Sequence, residues 1–217
     1  MCYNAFMEKT LFTRKTSTIL KGVLCIFVLL HHLLRTNNFF VDSILNALGP
    51  IAVGGFLLLS GYGLIVNYKQ HGMSYLKKVL FKRIPLTYLL VILTNLIYLT
   101  IYIFTEPVTL STLNIITSIF YISFSKNFIF LYSWIYFLVD LLIYYFCFVI
   151  IFMIIESFKK LKQKPKIGAI VYFIIVFIIY LSVSLVIQKP LGQRAIFCFT
   201  LGLTIGAFED KIGRAHV

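Results

Sequence analysis

Long apolar runs decide the fold of this chain. The most continuous one is residues 132–155, YSWIYFLVDLLIYYFCFVIIFMII, in which Asp140 is the only charged residue. A helix needs about 20 apolar residues to cross a bilayer, and this run reaches that length. Working outward, further runs reach or approach it at residues 17–34, 44–66, 84–104, 167–187 and 195–208. The sequence therefore predicts an all-α, polytopic transmembrane helix bundle with about six spanning helices.

The amino-acid composition excludes two classes of protein for this chain, a soluble globular domain and a disordered chain. Of the 217 residues, 60% are hydrophobic and 12% are charged, whereas soluble domains average about 45–50% apolar and about 25% charged residues. So short a chain has no soluble core that could hide this much apolar surface. The net charge of +13 would suggest nucleic acid in a soluble protein. Because the basic residues here lie between apolar runs, we expect a lipid bilayer as partner and no nucleic acid.

The distribution of Lys and Arg predicts the orientation in the membrane. With a cytoplasmic N-terminus, 16 of the 20 basic residues fall in inner segments, and the other four are Arg35, Lys126, Lys189 and Arg194. Positive residues accumulate on the cytoplasmic side, so we expect a multi-pass protein of the cell membrane with its N-terminus inside. The same distribution favours residues 110–130 as an outer loop with an interfacial or re-entrant helix, because another crossing would exchange the sides of all later loops.

The spacing of the cysteines indicates no metal site and no disulfide framework. The four cysteines are widely separated and form no metal-ligand spacing, so we expect no metal site, no bound cofactor and no disulfide framework.

The last six residues, 212–217, IGRAHV, match the translation of a common sequencing adapter. We expect residues 1–211 to be the native part and residues 212–217 a non-native tail, with a natural short tail as the alternative.

The first apolar run places a cation and an imidazole on one helix face. Lys21 and His32 are 11 residues apart, which leaves them about 20° apart around a helix and about 16 Å apart along it. His31 is displaced by about 80° and faces elsewhere. A neutral imidazole can take a proton from an alcohol, and a cation can hold a phosphate. An interfacial His pair with a topogenic Lys is the alternative interpretation.

A basic cluster precedes the third run. Lys78 and Lys82 share a helix face at i, i+4 spacing, Arg83 follows, and Pro85 suits the first turn of the next helix. A cationic cluster at a helix N-terminus can bind the phosphates of a nucleotide-like donor. A positively charged membrane anchor explains the same residues without a ligand.

Polar residues within the fourth and second runs are further candidates. Tyr136, Asp140 and Tyr144 are spaced i, i+4, i+8, which predicts a polar stripe facing protein rather than lipid. Asp140 could orient a histidine or bind a substrate hydroxyl, or serve as a structural hydrogen-bonding residue. The second run carries small residues that helix packing alone would explain: Gly54, Gly55, Ser60, Gly61 and Gly63.

Taken in order, these segments resemble the membrane acyltransferase type 3 family, which O-acetylates bacterial cell-surface sugars. That family begins with a basic residue and a Gly, and a hydrophobic run ends in a His with ten residues between the basic residue and that His. Lys21-Gly22 and His32 fit this frame, with Lys in place of the more usual Arg. The family's second helix carries a Phe-Phe-x-x-Ser-Gly-Phe-like string, and residues 56–62, FLLLSGY, are similar to it through Ser60 and its neighbours.

Two later elements extend the resemblance. Lys78, Lys82 and Arg83 before Pro85 are similar to the family's Arg-x-x-Arg element, with a different spacing and a single Arg. Trp134 begins an aromatic stretch like the one that opens a later helix of the family. The family has about ten spanning helices of ordinary length, so the resemblance implies that this chain is an N-terminal portion.

The resemblance implies an enzyme that moves an acyl group, expected to be acetyl, from acyl-CoA to a hydroxyl of a cell-surface or lipid-linked glycan. His32 would act as general base or relay the acyl group. Donor binding would fall to Lys21, Lys78, Lys82 and Arg83, with Ser60, Trp134 and Asp140 in support. A membrane transporter or glycan exporter without ester chemistry is the alternative from another class, and an inactive fragment is a third.

Overall fold

The computed structural model describes residues 11–33, 39–105, 119, 136–158, 164–187 and 193–212. Within these ranges the elements are all helical. They are α1 (Arg14–Leu33), α2 (Phe39–His71), α3 (Met73–Lys78), a π-helical turn (Val79–Arg83), α4 (Ile84–Thr105), α5 (Tyr136–Ser157), α6 (Pro165–Ile187) and α7 (Gln193–Ile212). The six long helices coincide with the six apolar runs, which confirms the all-α helix bundle.

Helix length and composition confirm the membrane character. Four segments of the described chain are long and apolar enough to cross a bilayer: Arg14–Leu33, Val41–His71, Met73–Ile101 and Phe137–Ser157. Shorter apolar stretches, Pro165–Ile179 and Phe197–Glu209, belong to α6 and α7. The number of crossings and their orientation stay predictions. Apart from Ile119, residues 110–130 lie outside the described residues, as do residues 213–217 of the predicted tail.

Local sequence explains where α1 begins and where α2 ends. The Thr13 hydroxyl oxygen accepts a hydrogen bond from the backbone N–H of Thr16 (3.2 Å), as a helix N-cap does. α2 continues past the apolar run to His71, and Gly72 follows with a φ of 52°. The Gly72 N–H donates to the Tyr68 carbonyl (2.8 Å). Glycine adopts this left-handed conformation without steric cost, which suits a helix C-terminus.

A π-helical turn joins α3 to α4. The backbone N–H of Ile84 donates to the carbonyl of Val79, five residues back. Pro85 lacks an N–H and its ring crowds the preceding turn of an α-helix, and the wider π turn accommodates it. The expectation that Pro85 lies in the first turn of a helix is confirmed. The π turn was not predicted, because the Pro was expected to follow a loop.

The chain forms two compact units, residues 1–75 with 151–217, and residues 76–150. In the first unit α2 packs against α1 and α7, and α7 packs against α6. The α2–α7 contact is close: a β-carbon added at Gly61 would overlap the carbonyl oxygen of Phe199, and one at Gly202 would overlap that of Leu58. Small residues let helix backbones approach in lipid, so the packing interpretation is confirmed for Gly61.

In the second unit, polar side chains of α4 are hydrogen-bonded within the protein. Thr87, Thr94 and Thr100 each donate to the carbonyl four residues earlier, at 2.7–2.9 Å. Asn95 is buried and its side-chain amide donates to the carbonyl of Ile119 (3.2 Å). An unsatisfied polar group is costly in lipid, so these bonds allow an otherwise apolar helix to carry polar residues.

Candidate functional site

The contact between α1 and α2 determines which histidine faces the protein. Leu24 packs on Gly55, and His31 packs on Gly49. A β-carbon added at Gly49 would lie 2.7 Å from Cδ2 of His31, and one at Gly55 would lie 2.8 Å from the Leu24 methyl carbons. Leu24 and His31 are seven residues apart, close to two full turns. They therefore define one line of contact along α1, which we call the α1–α2 seam.

His31 is anchored in this seam. Its Nδ1 lies 3.0 Å from the backbone carbonyl oxygen of Leu45. Its ring also meets the His32 ring edge to face, with 4.7 Å between centroids and 62° between planes. The sequence analysis assigned His31 no role. The signal that could have found it is the seven-residue spacing from Leu24, which places both side chains on the helix face that meets small residues of α2.

His32 lies about 100° further around α1, and its side chain is exposed. Lys21 is also exposed, on the same unbroken helix. Continuous helix over this stretch keeps the two side chains about 20° apart in rotation and about 16 Å apart in height. The continuous helix confirms that the two side chains share one face; the expectation that His31 faces elsewhere is met only in part, because its ring contacts that of His32. The catalytic role of His32 and the donor role of Lys21 stay predictions.

Ser60 lies on α2 in the first unit and is half-buried. The next residue, Gly61, forms the close contact with α7 already described. The string similar to the family motif therefore coincides with a helix crossing. This string packs α2 against α7 through Gly61. The supporting role of Ser60 in catalysis stays a prediction.

The second unit carries the basic cluster. Lys78 ends α3, and Lys82 and Arg83 lie in the π-helical turn. Both lysines are exposed, whereas Arg83 is half-buried. The Arg83 guanidinium carbon lies 5.9 Å from the centroid of the buried Tyr145 ring, which is within the range of a cation–π contact. The cluster thus contains two exposed point charges and one cation held against an aromatic ring.

Asp140 also lies in the second unit, half-buried on α5. Tyr144, one turn further along, is only 6% exposed, as expected of a stripe that faces protein. The side chain of Tyr136 and the whole of Trp134 lie outside the described residues. The unit structure therefore groups Lys21, His32 and Ser60 in one unit, and the basic cluster and Asp140 in the other.

A second polar group in the first unit lies near the other end of α2. The hydroxyl of Tyr68 donates to Oε1 of Glu156 (2.7 Å), and Glu156 is 9% exposed. The hydroxyl of Tyr62 donates to Oε1 of Glu209 (2.8 Å). Glu156 and Glu209 were not predicted from the sequence, because the apolar runs end at residues 155 and 208.

The chain before α1 joins this group. The Phe12 N–H donates to the Tyr62 hydroxyl (3.2 Å), and the two rings are edge to face with centroids 5.1 Å apart. The Leu11 N–H bonds the Glu209 carboxylate. These contacts attach the segment that precedes α1 to both α2 and α7. The Glu209 carboxylate therefore accepts hydrogen bonds from the segment before α1 and from α2.

Comparison with known proteins identifies the family. A family model described as an acyltransferase domain matches residues 16–215, more than nine-tenths of the chain. The match includes the Lys21–His32 helix, the small residues of α2 and the basic turn. The chain has no significant match among curated proteins or among solved structures. The family supports acyl-group transfer and gives no support to a transporter. The chain belongs to the membrane acyltransferase 3 family.

Proposed function

We propose that this protein transfers an acetyl group from acetyl-CoA to a hydroxyl of a cell-surface or lipid-linked glycan, in the bacterial cell membrane with its N-terminus in the cytoplasm. Family membership supports acyl transfer. The observation that carries the site assignment is the exposure of Lys21 and His32 on the face of α1 that flanks the α1–α2 seam. Polar side chains facing hydrocarbon are costly, so we propose that this face lines the reaction site.

His32 acts as general base in this proposal. Its unprotonated ring nitrogen takes the proton of the acceptor hydroxyl while the hydroxyl oxygen attacks the thioester carbonyl. The tetrahedral intermediate then collapses, the carbon–sulfur bond breaks, and the imidazolium returns the proton to the departing thiolate. The products are an O-acetyl ester and free CoA.

The cations bind the donor's phosphates. Lys21, Lys78 and Lys82 supply point charges, and Arg83 supplies a planar fork that can hold two phosphate oxygens at once. The separation of about 16 Å along α1 between Lys21 and His32 leaves room for an extended arm between the phosphates and the thioester. Ser60, Trp134 and Asp140 keep the supporting roles that the family resemblance implies.

The direct test replaces His32 and measures base-labile O-acetyl on surface glycan of cells that depend on this protein. We expect His32→Ala to lower the ester content at least about 100-fold, the usual size of a general-base contribution. His71→Ala is the matched control, because His71 is also exposed and lies at the end of α2. Ester content that is unchanged in His32→Ala, with normal amounts of protein in the membrane, would reject the proposal.

A further inference from the structure

We propose that His31 is a positioning residue that fixes the orientation of His32 for acyl transfer; this inference rests on the proposed function. His32 is the second-last residue of α1, where the last carbonyl groups of a helix have no intrahelical partners and the end frays. A base displaced by about 1 Å loses on the order of 100-fold in rate. A base at this position therefore needs an anchor outside its own helix.

His31 supplies that anchor at two points. Nδ1 lies 3.0 Å from the carbonyl oxygen of Leu45. A carbonyl can only accept, so Nδ1 carries the proton and donates it. The opposite edge of the ring abuts Gly49, where an added β-carbon would lie 2.8 Å from Nε2. The ring is therefore held between a hydrogen bond and a steric contact, and both partners belong to α2.

The anchored ring then meets the base. The His32 ring packs against the His31 ring with centroids 4.7 Å apart. Because the hydrogen bond to Leu45 ties His31 to α2, it limits the positions open to the backbone of the last turn of α1, which carries His32; the edge-to-face ring contact is an additional restraint. The hydrogen bond to Leu45 is the element that gives this anchor its direction, so it should matter more than the ring shape alone.

Two substitutions of His31 separate anchoring from packing. Asn places a side-chain N–H the same number of bonds from the Cα as Nδ1 of His, so His31→Asn keeps the donor to Leu45 and loses the ring. His31→Phe keeps the ring and loses the donor. We measure kcat and KM for acetyl-CoA in membranes containing the whole chain. We expect His31→Asn within about threefold of wild type in kcat, and His31→Phe lower by about 10- to 100-fold, with unchanged KM for both.

Gly49→Ala tests the second contact without touching either histidine. The added methyl displaces the His31 ring and with it Nδ1 from the Leu45 carbonyl, so we expect a loss of kcat like that of His31→Phe. Gly63→Ala is the matched control, because nothing lies within 4 Å of a β-carbon at Gly63. A kcat for Gly49→Ala equal to that of Gly63→Ala would count against the anchor.

Three other results with the His31 variants would overturn the role proposed for His31. Each can be distinguished from failure of the proposed function by the activity of His32→Ala. An active His31→Phe with an inactive His31→Asn would show that ring packing alone matters. Equal losses of kcat in His31→Asn and His31→Phe would show that the imidazole ring of His31 has a chemical role of its own. Wild-type kcat in both variants would show that His31 has no role in the reaction. In each of these cases His32→Ala remains inactive if the proposed function holds. Full activity of His32→Ala would reject that function itself.

Discussion

At the scale of single residues, two tyrosine–carboxylate pairs stabilise the end of the first unit that lies away from His31 and His32. Tyr68 donates to Glu156 (2.7 Å) and also packs edge to face on Phe152, with centroids 4.7 Å apart. Glu156 is almost fully buried. Its carboxylate therefore depends on hydrogen bonds within the protein, since a buried acceptor that loses its donor costs more than the net value of the bond.

Removing the Tyr68 hydroxyl should destabilise the fold. We expect Tyr68→Phe to lower stability by about 1–3 kcal/mol, because the Glu156 carboxylate loses a buried donor while the ring packing on Phe152 stays. Thermal unfolding in detergent measures the change. Glu156→Gln keeps an oxygen that can accept the hydrogen bond and should lie closer to wild type. A Tyr68→Phe midpoint equal to that of wild type would contradict this account of the pair.

The Arg83–Tyr145 contact gives a second prediction at this scale. A cation–π contact contributes about 0.5–2 kcal/mol, and Arg83 is half-buried against the ring. We expect Tyr145→Leu to raise the KM for acetyl-CoA about threefold to tenfold, because the guanidinium loses the surface that orients it. Tyr145→Phe keeps the aromatic face and should stay within about twofold. Equal KM values for the Leu and Phe variants would argue against an orienting role for the ring.

At the scale of helices, α2 is the element against which the first unit is built. It contacts α1 through Gly49 and Gly55, and α7 through Gly61. Its run of small residues therefore serves two different neighbours rather than one. α2 extends to 33 residues, well beyond the length needed to cross a bilayer.

Closing the α2–α7 gap with a methyl group should disrupt this packing. We expect Gly61→Ala to cost about 1–3 kcal/mol, because the added carbon overlaps the backbone of α7, which cannot move aside as a flexible side chain would. Gly63→Ala, on the same helix with open space around it, should be neutral or slightly stabilising. Thermal unfolding and the amount of folded protein in the membrane measure both. Equal stability of the two variants would mean that the close crossing does not form.

The presence of the long helices could be predicted from the sequence, whereas the side-chain contacts between them could not. Apolar runs that reach or approach the length needed to span a bilayer predicted all six long helices, because the backbone in hydrocarbon must satisfy its hydrogen bonds internally. Helix ends were harder, because Gly72 and Glu156 lie beyond the apolar runs that define the prediction. The shared face of Lys21 and His32 followed from helical geometry alone. The anchoring of His31 did not, since it depends on which face of α1 meets Gly49.

At the scale of the whole molecule, the proposed function depends on which ends of the helices face the cytoplasm. The excess of basic residues predicts that the Lys69–Lys78 end of the first crossings lies inside. The His31–His32 end of α1 then lies toward the outer side, where a glycan acceptor would be found. Donor and acceptor would thus reach the reaction site from opposite sides of the bilayer.

Cysteine labelling tests this orientation with a matched pair of exposed serines. Ser43 lies in the first turns of α2 and Ser74 lies in α3, and both are exposed. In a background with the four natural cysteines replaced by alanine, an impermeant maleimide should label Ser43→Cys in intact cells. It should label Ser74→Cys only after permeabilisation. The reverse pattern would invert the proposed topology and place the histidines on the donor side.

The central claim is that acyl transfer takes place at the exposed face of α1. Membranes containing the protein, supplied with acetyl-CoA labelled in the acetyl group, test it most directly. We predict base-labile label in the glycan or glycolipid fraction with the wild-type chain and with His71→Ala, and a loss of at least about 100-fold with His32→Ala. Equal label with His32→Ala, or no label above membranes that lack the protein, would contradict the claim.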